Sequence, residues 1–156
     1  MEVTLRPVQA SDEAFLISVF ASTRDAELAL VPWSLEQKAA FIAMQFRAQN
    51  ADYAFRYPGA QHDIICADSV AVGRLFLARL DDQLRIADVA VLPEYQGKGI
   101  GAWVLRRIMD EAATLQKPVT VYVEINNPSL QWFERNGFER GESSGFNILM
   151  RWTPAV

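Results

Sequence analysis

The chain has 156 residues and a formal net charge of −4; 51% of its residues are hydrophobic and 22% are charged. These values are typical of a globular protein with one buried core, so we predict a single domain over residues 1–156. The acidic balance argues against nucleic acid as a partner. The single cysteine, Cys66, excludes an internal disulfide, and with only one histidine, His62, we expect no metal site.

The amino-terminal segment predicts a strand and then a first helix. Glu2–Val8 alternates apolar residues and contains a proline, which is typical of a strand at the edge or end of a sheet. Ser11 or Asp12 should cap a helix that ends near Arg24. We find no signal-peptide pattern and no apolar run near the ~20 residues of a membrane span. We therefore expect a cytoplasmic protein with no membrane partner.

A second helix is predicted after Pro32, because proline disfavours helical geometry in the residue before it. Ser34 is the predicted cap, and Gln37, three places later, completes a capping box. The residues from 35 to 48 then place apolar side chains on two neighbouring faces of the helix. We interpret both faces as core; the alternative is that one of them contacts a ligand or partner.

The middle of the chain predicts an antiparallel meander. Strands are expected over 64–67, 70–80 and 84–91. The links between them, Asp68-Ser69 and residues 81–83, are short and made of turn-forming residue types. Short links of this kind join neighbouring antiparallel strands.

The last third predicts a helix, a strand, a short helix and a closing hairpin. Apolar residues at helical spacing follow the glycines at 97–101, and Pro118 ends that segment. The strand over 119–124 returns after a helix, so it should pair in parallel with the strand before it. A short helix over 128–136 then ends at Gly137, and a hairpin completes the chain.

A glycine-rich turn links the strand over 84–91 to the long helix. Gly97, Gly99 and Gly101 alternate there, so the backbone can turn tightly and leave its amides uncovered. These amides and the helix dipole converge, which predicts a phosphate-binding turn. A P-loop fits poorly, because Lys98 is followed by glycine rather than serine or threonine. A dinucleotide fingerprint also fits poorly, because its glycine spacing differs, although Glu124 lies at the distance expected for its acidic residue.

Two segments together resemble the GCN5-related N-acetyltransferase (GNAT) family. Residues 96–101, QGKGIG, fit the family pattern Arg/Gln-x-x-Gly-x-Gly/Ala at a strand-to-helix turn. Residues 126–138, NNPSLQWFERNGF, are similar to the asparagine, short helix and Gly-Phe ending that follow the family's fifth strand. The order of elements agrees along the whole chain. The resemblance implies an α/β (α+β) fold with a GNAT-like mixed, mostly antiparallel central sheet of about seven strands flanked by four helices.

The resemblance also implies acetyl-coenzyme A as the acetyl donor. The amides of the glycine turn would hold the pyrophosphate, with the cation of Lys98 nearby. Backbone groups of Val89 and Val91 would pair with the pantetheine arm, in a slot where two strands of the family splay apart. Asn126 would hydrogen-bond the arm from the other side, and Ser129, Leu130 and Phe133 would line the thioester end. The implied coenzyme-binding residues are Val89, Val91, Gln96, Gly97, Lys98, Gly99, Ile100, Gly101, Ala102, Asn126, Ser129 and Phe133.

The catalytic groups depart from the family pattern. Many members carry a tyrosine where this chain has Phe133, and that hydroxyl is thought to protonate the departing thiolate. We hypothesise that no dedicated general acid acts at this position, since a thiol with a pKa near ~8.5 is already a fair leaving group. Glu124, slightly favoured, and Asp88 are the candidate general bases, and a surface or turn-capping charge is the alternative for each. Some relatives carry a base at positions held here by Arg85 and Ala87, so the family does not assign one directly.

In this family the acceptor site is built largely from the first two helices and their connection. Glu27 could attract a cationic amine, Trp33 could stack on an apolar or cationic group, and Arg74 could face the same pocket; packing and solvated charge are the alternatives. The resemblance implies acetyl transfer from acetyl-coenzyme A to a primary amine of a small molecule or peptide, by direct attack in a ternary complex. The alternatives are a non-catalytic acyl-coenzyme A sensor, transfer to a hydroxyl, or transfer of a longer acyl chain. A homodimer through edge pairing of the strand over 146–152 is also expected by resemblance.

Overall fold

The computed structural model describes residues 1–155 and is organised around one seven-stranded sheet. In chain order the strands are β1 (Val3–Pro7), β2 (Gln61–Ala67), β3 (Val70–Arg79), β4 (Leu84–Val91), β5 (Val119–Glu124), β6 (Glu139–Ser144) and β7 (Asn147–Trp152). Their order across the sheet is β1-β2-β3-β4-β5-β7-β6. Only β4 and β5 pair in parallel; the other neighbours are antiparallel. The predicted mixed, mostly antiparallel sheet is confirmed.

Five helices accompany the sheet, and four of them have seven or more residues. They are α1 (Glu13–Ser22), α2 (Asp25–Leu28), α3 (Leu35–Arg56), α4 (Ile100–Leu115) and α5 (Ser129–Arg135). The single turn α2 was not predicted, because its four residues are too few to show a period. At the start of α3 the predicted capping box is present: Gln37 N donates to Ser34 Oγ at 3.1 Å, and Ser34 N donates to Gln37 Oε1 at 2.9 Å.

The first helix begins differently from the prediction. Ala10–Asp12 form one turn of 3₁₀-helix, and neither Ser11 nor Asp12 caps α1 with its side chain. The Asp12 carboxylate instead accepts two hydrogen bonds from the Arg6 guanidinium, at 2.8 and 2.9 Å. An ion pair with β1 therefore replaces the cap of α1 that the sequence suggested.

Two apolar layers cover the two faces of the sheet. α1 and α3 pack on one face through Leu16, Phe20, Ile42 and Phe46, while the larger core lies on the other face and includes the buried side of α4 and α5. The second apolar stripe of α3 is not core: Met44 and its neighbours on that stripe are half-buried or exposed. The interpretation that both faces of this helix are buried is therefore wrong. In the described range, 1–155, no helix combines the length and apolarity needed to cross a membrane.

The carboxyl-terminal strand does not lie at the edge of the sheet. β7 pairs with β5 on one side and with β6 on the other, so both of its backbone edges are already used. β6 is the edge strand on this side of the sheet, as β1 is on the other, and β6 is exposed along its whole length. The expectation that the strand over 146–152 provides a dimer edge is therefore wrong, because the chain's own hairpin covers that edge.

Candidate functional site

The two central strands of the sheet separate at one end. β4 and β5 pair over only three positions, from Leu84 with Val119 to Ile86 with Val121. Beyond that point β4 pairs only with β3, and β5 only with β7. A cleft therefore opens between the carboxyl-terminal halves of the two strands, which is the splay that the family resemblance implied.

A β-bulge marks the start of this cleft. Ile86 lies opposite Leu77 of β3, but Asp88 lies opposite the adjacent Phe76, so Ala87 is an extra residue in β4. Bulges redirect side chains and often occur next to active sites. The irregularity thus sets the direction of Asp88 at the point where the strands part.

The backbone of β4 beyond the bulge is available to a ligand. Leu92 N donates to Val72 O at 2.8 Å, and residues that bond to the neighbour alternate along an antiparallel strand. Ala90 therefore faces β3, while the N–H and C=O groups of Val89 and Val91 point toward the cleft. An extended molecule that contains amides can pair with such free groups as an added strand would.

The three glycines of the turn after β4 serve different purposes. Gly97 and Gly99 have φ angles of +75° and +86°, and a Cβ at either position would meet no atom within 4 Å. What these two glycines supply is a left-handed backbone rather than space. Gly101 lies inside α4, and a Cβ there would be 3.3 Å from the ring of Trp132. Its role is close packing against α5.

The start of α4 concentrates unpaired backbone donors. Gly99 is its N-cap, and Trp103 N donates back to Gly99 O at 3.0 Å. Among residues 1–155, no protein group accepts from the amides of Gly97–Ala102. These amides lie at the positive end of the dipole of a 16-residue helix. The arrangement favours an anion such as phosphate.

Two side chains complete the turn. Gln96 Nε2 donates to Val91 O at 2.8 Å, so the glutamine fastens the turn to the end of β4 and occupies one of the cleft-facing carbonyls. Lys98 is exposed, with its Nζ 5.6 Å from the centre of the Tyr95 ring. It leaves a cation beside the unpaired amides.

The opposite side of the cleft is formed by the link from β5 to α5. Asn127 Oδ1 accepts from Ser129 N at 2.8 Å, so Asn127 opens α5 and holds the amide of Ser129. Asn126 is exposed and remains the residue of this link proposed to meet a ligand. Sequence reasoning did not separate the roles of the two adjacent asparagines.

Phe133 is a core residue. Its side chain is 3% exposed and lies edge-on to Trp132 and Phe138, with ring centroids 4.9 and 5.2 Å away. It therefore offers little surface to a bound molecule. The predicted lining role of Phe133 has only this small surface to support it.

Asp88 and Arg74 form an ion pair on the α1–α3 side of the cleft. Arg74 Nε lies 3.0 Å from Asp88 Oδ2, and the two side chains are 1% and 30% exposed. Burial raises the pKa of Asp88 above its usual range, although the nearby cations of Arg74 and Arg24 act against this rise. With 1% exposure, Arg74 cannot contact an acceptor, so its predicted role in substrate binding is wrong.

Arg74 is held by α3 as well as by Asp88. Its Nη1 donates to Asn50 Oδ1 at 3.2 Å, and its Nη2 donates to Gln49 Oε1 at 3.4 Å. The guanidinium carbon lies 5.4 and 5.8 Å from the ring centroids of Phe46 and Tyr53. Sequence reasoning missed these partners, but the i, i+4, i+7 spacing of 46, 50 and 53 places all three on one helix face.

Glu124, the other candidate base, has a different environment. Its side chain is 55% exposed, and its nearest cation is Arg24 Nη1, 3.9 Å from Oε1. Arg24 follows α1, so this contact brings the end of α1 to the carboxyl end of β5. The structure thus places one acid at the inner end of the cleft and the other at its surface.

The two other predicted acceptor residues are at the surface. Glu27 is exposed on α2, and Trp33 is exposed in the link to α3, edge-on to Phe41 with centroids 5.2 Å apart. In the part of the chain that is described, no three His, Cys, Asp or Glu residues form a group that could hold a metal ion.

Comparison with known proteins places this cleft in context. A family model described as "Acetyltransferase (GNAT) domain" matches residues 60–140, more than half of the chain. No curated protein sequence matches the chain significantly.

Solved structures with the same fold align along nearly the whole chain. PaiA N-acetyltransferase from Thermoplasma acidophilum, in complex with coenzyme A, is 19% identical with a TM-score of 0.75, covering 98% of this chain and 99% of that one. An acetyltransferase from Thermus thermophilus is 19% identical with a TM-score of 0.69, covering 98% and 97%. The ribosomal-protein-S18-alanine N-acetyltransferase from Escherichia coli is 14% identical with a TM-score of 0.66, covering 99% and 96%. At these identities the likeness establishes the fold.

Proposed function

This chain belongs to the GNAT acetyltransferase family, and we propose that it transfers an acetyl group from acetyl-coenzyme A to a primary amine of a small molecule or peptide, by direct attack in a ternary complex. The observation that carries the proposal is the cleft between β4 and β5, which opens beside the unpaired amides at the start of α4. Nitrogen as the acceptor atom is supported by two of the structural relatives, which are N-acetyltransferases.

The residues of the cleft fit coenzyme A. The amides of Gly97–Ala102 would hold the pyrophosphate, and Lys98 would add a mobile cation. The cleft-facing groups of Val89 and Val91 would pair with the amides of the pantetheine arm, except for the Val91 carbonyl that Gln96 already occupies. Asn126 and the start of α5 would contact the arm from the other side.

Acetyl-coenzyme A supplies an activated thioester when it is bound. The chain's own task is to orient an amine, to exclude water and to remove a proton. As the new C–N bond forms, the C–S bond breaks, the thiolate leaves with the electron pair, and the nitrogen releases a proton. Asp88 and Glu124 are the two side chains proposed to accept that proton.

Coenzyme binding is tested with two glycines that share a backbone conformation. Gly99 and Gly59 have φ angles of +86° and +75°, and a Cβ added at either would have no atom within 4 Å, so alanine at either position should cost about 1–2 kcal/mol of stability. We expect Gly99→Ala to weaken coenzyme A binding at least tenfold in calorimetry, because the anion-binding turn is distorted. Gly59→Ala, remote from the turn, should bind as the wild type does. Equal binding by both variants would contradict the proposed pyrophosphate site.

Turnover separates the proposal from its alternatives. The protein is mixed with acetyl-coenzyme A and a panel of amines, and thiol release is followed. Release that depends on one amine supports N-acetyl transfer. Tight coenzyme binding without release from any amine, alcohol or longer acyl thioester would contradict enzymatic function and indicate a sensor.

A further inference from the structure

We propose that Arg74 is a positioning residue that fixes the carboxylate of Asp88 as the proton acceptor of the reaction. This inference rests on the proposed acetyl transfer and assigns the proton to one of its two candidate acids. It also gives a purpose to a fully buried arginine that no acceptor can touch. The geometry around the two side chains supports each part of this assignment.

The guanidinium of Arg74 is held in place from several directions. The side chains of Asn50 and Gln49 accept from its two terminal nitrogens, and the rings of Phe46, Tyr53 and Phe76 lie within 5.4–5.9 Å of its carbon. A planar cation among aromatic rings and amide acceptors loses its freedom to rotate. Arg74 is thus a fixed charge rather than a mobile side chain.

This fixed charge lies beside Asp88 but leaves the carboxylate able to accept hydrogen bonds from other groups. Nε is 3.0 Å from Oδ2, yet it is not aligned for a hydrogen bond. The contact is therefore mainly electrostatic, and the carboxylate keeps lone pairs for another donor. Asp88 also retains 30% exposure, on a strand whose neighbour β5 has already separated from it. An amine that enters the cleft can reach this carboxylate.

Titratable groups face the Asp88–Arg74 pair from several elements, and those that favour the ionised form of Asp88 are two arginines, together with the backbone amide of Val89. From β3 Arg74 favours the ionised form, and so does Arg24 from the end of α1. From α3 Tyr53 presents a phenol whose pKa is raised by burial and by Asp88, so it stays neutral. From β2 His62 faces Arg74, and burial and Arg74 lower its pKa to about 4, so it is also neutral near pH 7.

From β5 Glu124 lies 3.9 Å from Arg24, so the same cation acts on both acids. Burial and the neighbouring charges have opposite effects on the ionisation of Asp88, which explains why a proton acceptor at this position needs Arg74 beside it. Burial disfavours the ionised form of Asp88, and a protonated acid cannot accept a proton from the amine. The neighbouring cation of Arg74 acts against this effect and favours the ionised form. In the transfer step the amine proton passes to an Asp88 oxygen as the C–N bond forms, and it is then released to solvent with the product.

The first test measures the pKa of Asp88 in the protein without substrates. Carbon-13 NMR of labelled aspartate carboxyls is followed through a pH titration in the wild type, Arg74→Met, Arg74→Lys and Arg79→Met. We expect the Asp88 pKa to rise by about 1 unit or more in Arg74→Met, and by less in Arg74→Lys, which keeps the charge. Arg79→Met is the matched control: it removes an arginine of the same strand that pairs with Glu111 at 2.6 Å, away from Asp88. Its Asp88 titration should match the wild type.

The second test measures how the ionisation of Asp88 affects the pH dependence of catalysis. The acid limb of the kcat/KM profile should move to higher pH by the same amount in Arg74→Met, and Asp88→Asn should lower kcat/KM at least ~100-fold and remove the limb. An unchanged Asp88 titration or an unmoved limb in Arg74→Met would overturn the inference. If Arg74→Met does not fold, the same comparison is made with Arg74→Lys, where an Asp88 titration and an acid limb identical to those of the wild type would overturn it.

The two proposals fail in different ways. Failure of the acetyl-transfer proposal leaves the wild type without thiol release for any amine, whatever the NMR titration shows. Failure of the present inference leaves an active wild type whose acid limb does not depend on Arg74.

Discussion

At position 133 a phenylalanine stands where many GNAT members carry a tyrosine, and its surroundings decide what a hydroxyl there would do. The side chain is 3% exposed and lies between the rings of Trp132 and Phe138. A phenol in that cluster would bury a polar group without a partner, which typically costs about 1–3 kcal/mol. We therefore expect Phe133→Tyr to lower the free energy of unfolding by that amount, measured with urea, and to bring no gain in turnover.

Phe138→Tyr is the matched control for this change. Phe138 is also 3% exposed and belongs to the same aromatic cluster, but it follows the helix end at Gly137. Both variants should lose similar stability, and neither should gain activity. A rise in turnover above tenfold in Phe133→Tyr alone would show that a general acid at this position matters, and the hypothesis that none is required would be wrong.

Single residues differed in how well the sequence exposed their roles. The glycines of the turn could be identified because a strand, alternate glycines and a helix follow one another in sequence. Arg74 could not be assigned correctly, because its burial depends on α3, a segment some 25 residues away in sequence. An arginine inside the apolar run of β3 is nevertheless a signal: a charge in a buried strand needs a partner. Asp88 on the next strand is that partner.

At the scale of elements, local sequence patterns were sufficient to predict the bounds of strands but not how the strands pair with one another. The bounds of β4 and β5 agree with the prediction, because each is an apolar, β-rich run with clear ends. The bulge at Ala87 could not be predicted, since it is a matter of register between β4 and β3. The same holds for the position of β7 between β5 and β6, which depends on pairing between distant segments.

The cap of α3 is an element whose energy can be tested. Ser34 and Gln37 satisfy each other's backbone amides at the helix start. Ser34→Ala removes one side of this exchange, and caps of this kind are typically worth about 1 kcal/mol. We expect that loss in urea unfolding, with coenzyme A binding unchanged, because Ser34 is exposed at the far end of a long helix from the residues that hold Arg74.

Ser11→Ala is the corresponding control, since Ser11 was an equally good candidate cap from sequence. It lies inside the 3₁₀ turn before α1, and α1 has no side-chain cap. Its replacement should change the stability by less than about 0.5 kcal/mol, as is usual for a surface residue. If both substitutions lowered the stability by the same amount, the capping box would not be the source of the effect of Ser34→Ala.

At the scale of the whole molecule, the sheet separates two apolar layers that differ in size and in the residues they contain. The α4–α5 side holds the larger core, and the α1–α3 side holds a smaller core with the buried Arg74. The cleft forms where the sheet is interrupted between these layers. Coenzyme and acceptor would thus approach the same opening, the first from the turn after β4 and the second from the end of α1.

The α1–α3 layer is joined to the edge strand β1 by a charged pair, which makes its attachment sensitive to acid. The Arg6 guanidinium on β1 and the backbone amide of Gln9 bond to Asp12 before α1, and together they lower the pKa of Asp12 from its ordinary 3.8 to about 2. A carboxyl whose pKa is lower in the folded state stabilises the fold above its unfolded pKa, and this contribution is lost as pH falls from about 4 to about 2.

In urea unfolding between pH 2 and 6, Asp12→Asn should therefore be less stable than the wild type at pH 6, with a difference that shrinks toward pH 2. Asp52→Asn, which removes the acid of an exposed pair with Arg56, is the matched control and should change the stability by less than about 1 kcal/mol. A stability difference for Asp12→Asn that stays constant down to pH 2 would show that packing, and not the ionised pair, holds this layer to the sheet.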